Sequence, residues 1–294
     1  MKVGIVGYGN LGKAIEEEIK NHREFELVKI FSRRKLQNTE RFSRINDYVG
    51  RIETLFICVG SKADLEQTSL KLIKNFNIVE TFDNHAKIPE YFKKIDKMAK
   101  KHGKFAICSV GWDPGLFSLM RVLISALGYY PYTFWGKGVS QGHTQAIKNI
   151  QGVIDGIEFT LPNKKAIKQI KKGINVTNTS FHSRLCFVVA DYKDRNRIRD
   201  QIVNMPDYFL GYKTTVKFVS QSKLNRLKTF KHRGEVTTCN NVINFSLNLS
   251  SNPKFTAKIA ICYAKSVKKL DKFGAYSIFD IPISHIIDDK FKFL

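Results

Sequence analysis

The opening of the chain narrows what it can fold into more than any other stretch. An apolar run, Val3 to Val6, passes straight into Gly7-Tyr8-Gly9-Asn10-Leu11-Gly12, and a helix-compatible segment from Lys13 to Lys20 follows at once. Strand, glycine turn and helix in that order bring a pyrophosphate to a helix N-terminus, where backbone N–H groups and the helix dipole favour an anion. Gly7 permits the tight turn, Gly9 lets the backbone approach phosphates, and Gly12 lets the helix pack close to the strand. A glycine-rich turn with no ligand has the same composition. The strand before it and the helix after it favour the dinucleotide reading.

The next unit selects the dinucleotide. Leu27 to Phe31 reads as a second strand, and the position that discriminates cofactors follows it, ~20 residues beyond the last glycine. An acidic residue there would bind a ribose 2′-hydroxyl. This chain has Ser32-Arg33-Arg34. A guanidinium holds a 2′-phosphate through charge-assisted hydrogen bonds, whereas a carboxylate repels it. The expected cofactor is therefore NADP(H). The alternative is that both arginines are simply solvated.

Strands continue to alternate with helices: Thr54 to Val59, Glu66 to Asn75, Asn77 to Phe82, Ile88 to His102, Lys104 to Ser109. Such alternation implies a Rossmann-type doubly wound parallel sheet, with ligands beyond the carboxyl ends of its strands. Gly60-Ser61, Asp83-Asn84-His85 and Gly111-Trp112-Asp113-Pro114-Gly115 all fall at such ends. The middle of the chain is richer in strands: Ile157 to Leu161, Leu185 to Ala190, Thr214 to Val219, Glu235 to Thr238 and Val242 to Leu249. A single sheet with a few helices is expected there, an α+β domain for substrate binding and dimerisation.

Composition limits the alternatives. The formal net charge of +23 raises the possibility of a polyanion binder. The lysines are dispersed as pairs, such as Lys93-Lys94 and Lys171-Lys172, without a long basic block, so a generally basic surface is favoured and no specific nucleic-acid partner is expected. No apolar run reaches the ~18 residues that cross a bilayer, and no signal-peptide pattern opens the chain, so a cytoplasmic location without a membrane partner is expected. The 5 cysteines are widely spaced with no Cys-x-x-Cys pair, which points to free thiols. No metal is expected.

Several motifs together resemble the meso-diaminopimelate dehydrogenase family. They are Gly7-Tyr-Gly-Asn-Leu-Gly12, Phe31-Ser-Arg-Arg34, Phe82-Asp-Asn-His85, Gly111-Trp-Asp-Pro-Gly115, Thr133-Phe-Trp-Gly136 and Ser140-Gln-Gly-His143, then Thr160-Leu-Pro162, Arg184-x-Cys-Phe-Val-Val189, Met205-Pro-Asp-Tyr208 and Asn252-Pro-x-Phe-Thr-Ala257. They follow the family's order over nearly the whole chain. The resemblance implies NADP-dependent, reversible oxidative deamination of the D-centre of meso-2,6-diaminopimelate in lysine and diaminopimelate biosynthesis. The products would be L-2-amino-6-oxopimelate, which cyclises to tetrahydrodipicolinate, ammonia and NADPH. It also implies a homodimer. The expected dinucleotide domain is 1–115 with 253–278 returning to it, and the substrate domain 116–252 with 279–294.

The resemblance also assigns residues. Asp83 and Asp113 would hold the reacting D-amine, one of them assisting proton removal as hydride leaves the α-carbon. Each is also a natural turn or cap residue. Trp112 and Trp135, the 2 tryptophans, would shape the substrate's carbon chain, or serve as ordinary core. Gln141 and the Gly142 backbone would meet the D-centre carboxylate. His143 beside them is equally readable as a helix cap or core residue. Thr160, Arg184 and His232 match the distal-carboxylate clamp, and Asn252 the distal amine, although Asn-Pro also initiates turns. Gly60, Ser61, Asp83, Asn84, His85, Trp112, Pro114 and Gly115 would join the cofactor site. The segment around His232 departs from the family, and Gln145 stands where members commonly carry an aspartate. A related NADP-dependent D-amino-acid dehydrogenase or reductase with a shifted substrate, and a non-catalytic dinucleotide- or polyanion-binding protein, stay open as alternatives.

Overall fold

Strand β1 (Lys2–Val6) has four consecutive buried positions after Lys2, the pattern of a strand covered on both faces. It pairs in parallel with β2 (Glu26–Ser32) on one side and β4 (Thr54–Ile57) on the other. The computed structural model describes residues 1–60, 64–174, 176, 181–227, 232–287, 289 and 291–293. Cα packing divides the chain into a first unit, Met1–Leu119 with Asn252–Leu294, and a second, Met120–Ser251.

In the first unit, β3 (Glu40–Arg41), β5 (Asn77–Glu80), β6 (Phe105–Ile107) and β14 (Gly274–Tyr276) complete, among the described residues, a seven-stranded sheet ordered β14-β6-β5-β4-β1-β2-β3. Every pairing in it is parallel. The order reverses at β1, the crevice where ligands of doubly wound sheets bind. Side chains alternate between two cores. Val3, Ile5, Phe56, Val79 and Ile107 face one, with α1 (Asn10–Ile19) and α9 (Asn252–Ala264). Val6, Leu55, Ile57, Ile78 and Ala106 face the other, with α2 (Leu65–Leu72) and α3 (Ile88–His102). Helix α1 buries Gly12, Ala14, Ile15 and Ile19, one stripe at helical spacing. Helix α9 is followed by a short 3-10 turn over Lys265–Lys269.

The second unit departs from the single sheet expected. Strands β8 (Gly138–Val139), β9 (Val153–Pro162), β10 (His182–Ala190) and β11 (Lys213–Phe218) form one sheet. Strands β7 (Tyr132–Trp135), β12 (His232–Thr237) and β13 (Asn244–Leu249) form another. The chain passes from one to the other at Gly136, between β7 and β8. Gly136 has φ 95°, and a Cβ there would lie 2.1 Å from the Thr160 carbonyl oxygen, so only glycine fits the step. Helix α5 (Gln141–Lys148) packs on β9. The last residues also differ from expectation. Residues 279–294 group with the first unit, where Ile281 and Ile286 pack into the core beside α9.

Candidate functional site

The glycine turn joins β1 to α1. Gly7 lies at φ 95°, and its N–H donates to the Phe31 carbonyl at 2.9 Å. A Cβ on Gly12 would sit 2.1 Å from the Gly7 carbonyl oxygen, whereas one on Gly9 or Gly60 would meet nothing within 4 Å. The first pair of groups is in contact and the second opens outward. Gly9 caps α1 without a side-chain acceptor, so the first N–H groups of the helix, on Asn10 and Leu11, have no intrahelical partner. A cavity of about 440 Å³ opens here, lined by Gly7, Tyr8, Gly9, Ser32, Arg33, Arg34 and Gly60 among others. Open glycine faces, outward donors and a cation-bearing wall fit a dinucleotide.

Two side-chain contacts shape this cavity. The Tyr8 hydroxyl donates to Glu16, which pushes the phenol's pKa up. Arg33 is held by Asp64, Nη1 to Oδ1 at 3.3 Å and Nη2 to Oδ2. That hydrogen bond raises the Arg33 pKa and lowers that of Asp64. Sequence reasoning missed Asp64. A phosphate at Arg33 shares it with this carboxylate or displaces it. Ser32 is buried at the end of β2, where its Oγ accepts the Arg34 N–H at 3.1 Å. Ser61 lies outside the described residues.

A second cluster sits at the carboxyl ends of β5 and β6. Asp113 is mostly buried, with an 11% exposed side chain, and its Oδ2 lies 3.9 Å from His85 Nε2. Its Oδ1 accepts from Ser118 Oγ at 3.3 Å. Asp83 is exposed. The Asn84 carbonyl accepts from Lys87 and Ile88 N–H groups, opening the turn into α3. The 111–115 loop folds back on itself around Pro114. A Cβ on Gly115 would lie 1.8 Å from the Gly111 oxygen, and Trp112 meets Phe117 edge-on at 5.6 Å. Asn252 opens α9, and its Oδ1 accepts from Thr256 Oγ1 at 3.0 Å.

Glu80, unnoticed in the sequence, organises this edge. It is 0% exposed, at the last position of β5. Its carboxylate accepts the Phe82 N–H through one oxygen and the Ser109 N–H, at 3.1 Å, through the other. Its own carbonyl accepts from Val110 N–H at 3.0 Å. Burial pushes its carboxyl up to about 7, against the pull of these hydrogen bonds. One side chain thus ties the loop carrying Asp83 to the loop carrying Asp113. The available signal was a charged residue directly after the apolar Ile78-Val79 of a strand.

In the second unit, Thr160 on β9 lies opposite Arg184 on β10, and Glu158 opposite Cys186. Arg184 Nη1 donates to Thr160 Oγ1 at 2.5 Å, and that hydroxyl donates on to Glu158, whose oxygens lie at 3.1 and 3.2 Å. Arg184 and Glu158 form a buried ion pair at 3.6 Å, with side chains 8% and 0% exposed. The guanidinium also stacks 4.5 Å over the Tyr212 ring. Burial lifts the Glu158 carboxyl to about 7, with Arg184 opposing it. Neither Glu158 nor His182 was singled out in the sequence. His182 Nε2 accepts the Trp135 N–H at 2.7 Å, and burial, reinforced by Arg184, lowers its pKa to about 4. His232 begins β12, and burial depresses its pKa. Gln141 and Gly142 form the first turn of α5. Within that turn the His143 ring bonds Ser140 Oγ at 2.8 Å and the Tyr208 carbonyl at 3.0 Å, while Ser140 caps the helix by accepting the His143 N–H. Gln145 is exposed and bonds Asn149.

Among the described residues no group of three His, Cys, Asp or Glu side chains could hold a metal ion, and no helix is long and apolar enough to cross a membrane.

Comparison with known proteins identifies the family. The profile of the diaminopimelic acid dehydrogenase C-terminal domain matches residues 111–251. The meso-diaminopimelate D-dehydrogenase of Acetivibrio thermocellus is 40% identical, over 97% of this chain and 94% of its own. That of Lysinibacillus sphaericus is 39% identical over 96% and 94%. Among solved structures, Corynebacterium glutamicum diaminopimelate dehydrogenase in complex with diaminopimelate superposes with a TM-score of 0.94 at 33% identity, covering 100% of this chain and 98% of its own. An engineered D-amino acid dehydrogenase bound to NADP+ superposes at 0.87 with 31% identity, over 100% and 98%. With likeness of this degree along nearly its whole length, the chain belongs to the meso-diaminopimelate D-dehydrogenase family and is an amino-acid dehydrogenase.

Proposed function

We propose that the protein deaminates the D-centre of meso-2,6-diaminopimelate reversibly and oxidatively, with NADP+ as oxidant. The products are L-2-amino-6-oxopimelate, which cyclises to tetrahydrodipicolinate, ammonia and NADPH. When bound, the cofactor supplies the hydride acceptor. Gly7, Gly9, Gly12, Asn10 and Leu11 receive its pyrophosphate, and Ser32, Arg33 and Arg34 its 2′-phosphate. Asp113, with Asp83, holds the reacting ammonium and takes up a proton as hydride leaves the α-carbon. An ionised carboxylate there also stabilises positive charge at the carbon–nitrogen bond. Water then adds at that carbon and ammonia leaves. Gln141 and the Gly142 backbone bind the near carboxylate. Thr160, Arg184 and His232 bind the distal one and Asn252 the distal amine, with Trp112 and Trp135 against the carbon chain.

The observation that carries this reading is the Thr160–Arg184 pair. Two positions matched to the distal carboxylate face each other on adjacent strands and are joined by a hydrogen bond. A buried guanidinium just before the apolar run Leu185 to Ala190 suits recognition of a carboxylate. The test is NADP reduction with meso-, LL- and DD-diaminopimelate and with D-lysine, side by side. The meso isomer should be strongly preferred over LL and over D-lysine. Equal turnover of D-lysine would abandon the distal clamp in favour of a D-amino-acid dehydrogenase of shifted substrate.

We further propose a homodimer. Its support is the exposed apolar run Leu123, Leu127, Tyr129 and Tyr130, 42% to 67% exposed, an arrangement that favours a protein partner. Light scattering that reports a single-chain mass at micromolar concentration would reject it.

A further inference from the structure

We propose that Glu158 is a resident counter-ion for Arg184, and that it weakens the preference for a substrate whose distal end carries a carboxylate. This rests on the assignment of Arg184 to the distal carboxylate made above.

The geometry leads there. Glu158 is wholly buried, so it reaches bound substrate only through its neighbours. Besides the Ser140 backbone, its side-chain partners are two residues of the proposed clamp. Thr160, two residues along β9 and on the same side of the strand, donates its hydroxyl to Glu158. Arg184, opposite Thr160 on β10, donates to that same hydroxyl and pairs with the carboxylate at 3.6 Å. A single Thr160 proton thus goes to Glu158, and the Thr160 oxygen receives Arg184. The hydroxyl's one donor is committed to a carboxylate of the protein. Arg184 Nε is buried and makes no hydrogen bond, so the guanidinium keeps an unsatisfied donor while its charge is offset.

An isolated buried guanidinium would be strongly unfavourable, and Glu158 relieves that. The relief has a consequence for recognition. A substrate carboxylate arriving at Arg184 meets a pair with little net charge, and a like charge close behind it. What remains is mainly hydrogen bonding, which a neutral carboxamide can satisfy almost as well. With Arg184 unpaired, the full charge of the cation would discriminate in favour of the anion. Glu158 is therefore a positioning residue whose charge tunes specificity.

The experiment compares meso-diaminopimelate with its monoamide at the distal carboxyl, using the full-length protein with saturating NADP+ in alkaline buffer, above the value of about 7 at which Glu158 ionises. In the native protein the ratio of kcat/KM values should favour the carboxylate by less than about tenfold. Glu158→Gln keeps an oxygen that can accept from Thr160 but removes the charge. The ratio should then rise by about tenfold or more, with the change falling on KM for meso-diaminopimelate rather than on kcat. A merely structural Glu158 would alter stability and leave the ratio alone. An unchanged ratio in Glu158→Gln overturns the proposal. So does a native preference beyond about a hundredfold, a measurement that needs no variant to fold. Failure of the clamp assignment has a different signature. Arg184→Met added to Glu158→Gln would then leave the preference where Glu158→Gln put it, whereas under the proposal it abolishes the gain.

Discussion

Replacing Arg184 by methionine tests the buried pair as a matter of stability. In the native protein the folded pKa of Glu158, about 7, exceeds its usual 4.5. Its contribution is therefore most favourable below the unfolded value and is lost as pH rises through about 7. Removing Arg184 takes away the charge that pulls this pKa down, so the folded carboxyl must stay protonated to a higher pH. Keeping it neutral around pH 8 costs about 5 kcal/mol relative to an uncharged isostere, against about 1 kcal/mol around pH 5.5, at a little over 1 kcal/mol per pH unit. The lost charged hydrogen bond to Thr160 adds about 2 kcal/mol at either pH. Adding Glu158→Gln to Arg184→Met removes the titrating group. At roughly 3 °C per kcal/mol for a chain of this size, the double variant should melt about 10–15 °C above Arg184→Met around pH 8. Around pH 5.5 the gain should shrink to a few degrees. Thermal unfolding followed by far-ultraviolet circular dichroism at the two pH values measures it. A gain equal at both pH values, or absent at the higher one, would refute the buried-pair reasoning.

Three further expectations concern the first unit. Arg33→Ala with Arg34→Ala should raise the Kd for NADPH far more than that for NADH, each lost charge-assisted bond being worth about 1.5–3 kcal/mol; equal weakening of both cofactors in a fluorescence titration removes the arginines from the 2′-phosphate. Asp113→Asn should lower kcat by about a hundredfold or more while NADPH affinity stays near normal, and retention of native turnover would leave Asp113 only its turn role. Gly12→Ala places a Cβ 2.1 Å from the Gly7 carbonyl oxygen, so it should push α1 off the turn, weaken NADPH binding by at least about tenfold and cost a few kcal/mol of stability. Native affinity in calorimetric titration of that variant would show that the close approach is not needed.

Much of the first unit was legible because its central strands β1 and β4 are buried and read as nearly unbroken apolar runs. What escaped was short. β3 has two residues and β14 three, too few for any periodicity to register. In the second unit the strands were visible, but their division into two sheets depends on a backbone step at Gly136 that hydrophobic patterning does not encode. The site divides in the same way. Residues whose chemistry is carried by local motif, such as Gly7 to Gly12 and Ser32 to Arg34, were found from their spacing. Glu80 and Glu158 were not, because their roles come from burial and strand register. Ser109 lies 29 residues from Glu80, and Arg184 26 residues from Glu158, so only the fold brings each pair together.

Glu80 also limits how this edge of the sheet can be altered. Because one carboxylate receives N–H groups from both the loop after β5 and the loop after β6, the two loops are not interchangeable parts. A graft that imports a new loop after β5 without a matching acid at position 80 strands the Ser109 N–H in a dry interior. An insertion after β6 leaves half of the same carboxylate without its donor. Transplantation, directed evolution or natural drift must therefore change the two loops together, with the acid that joins them treated as part of both.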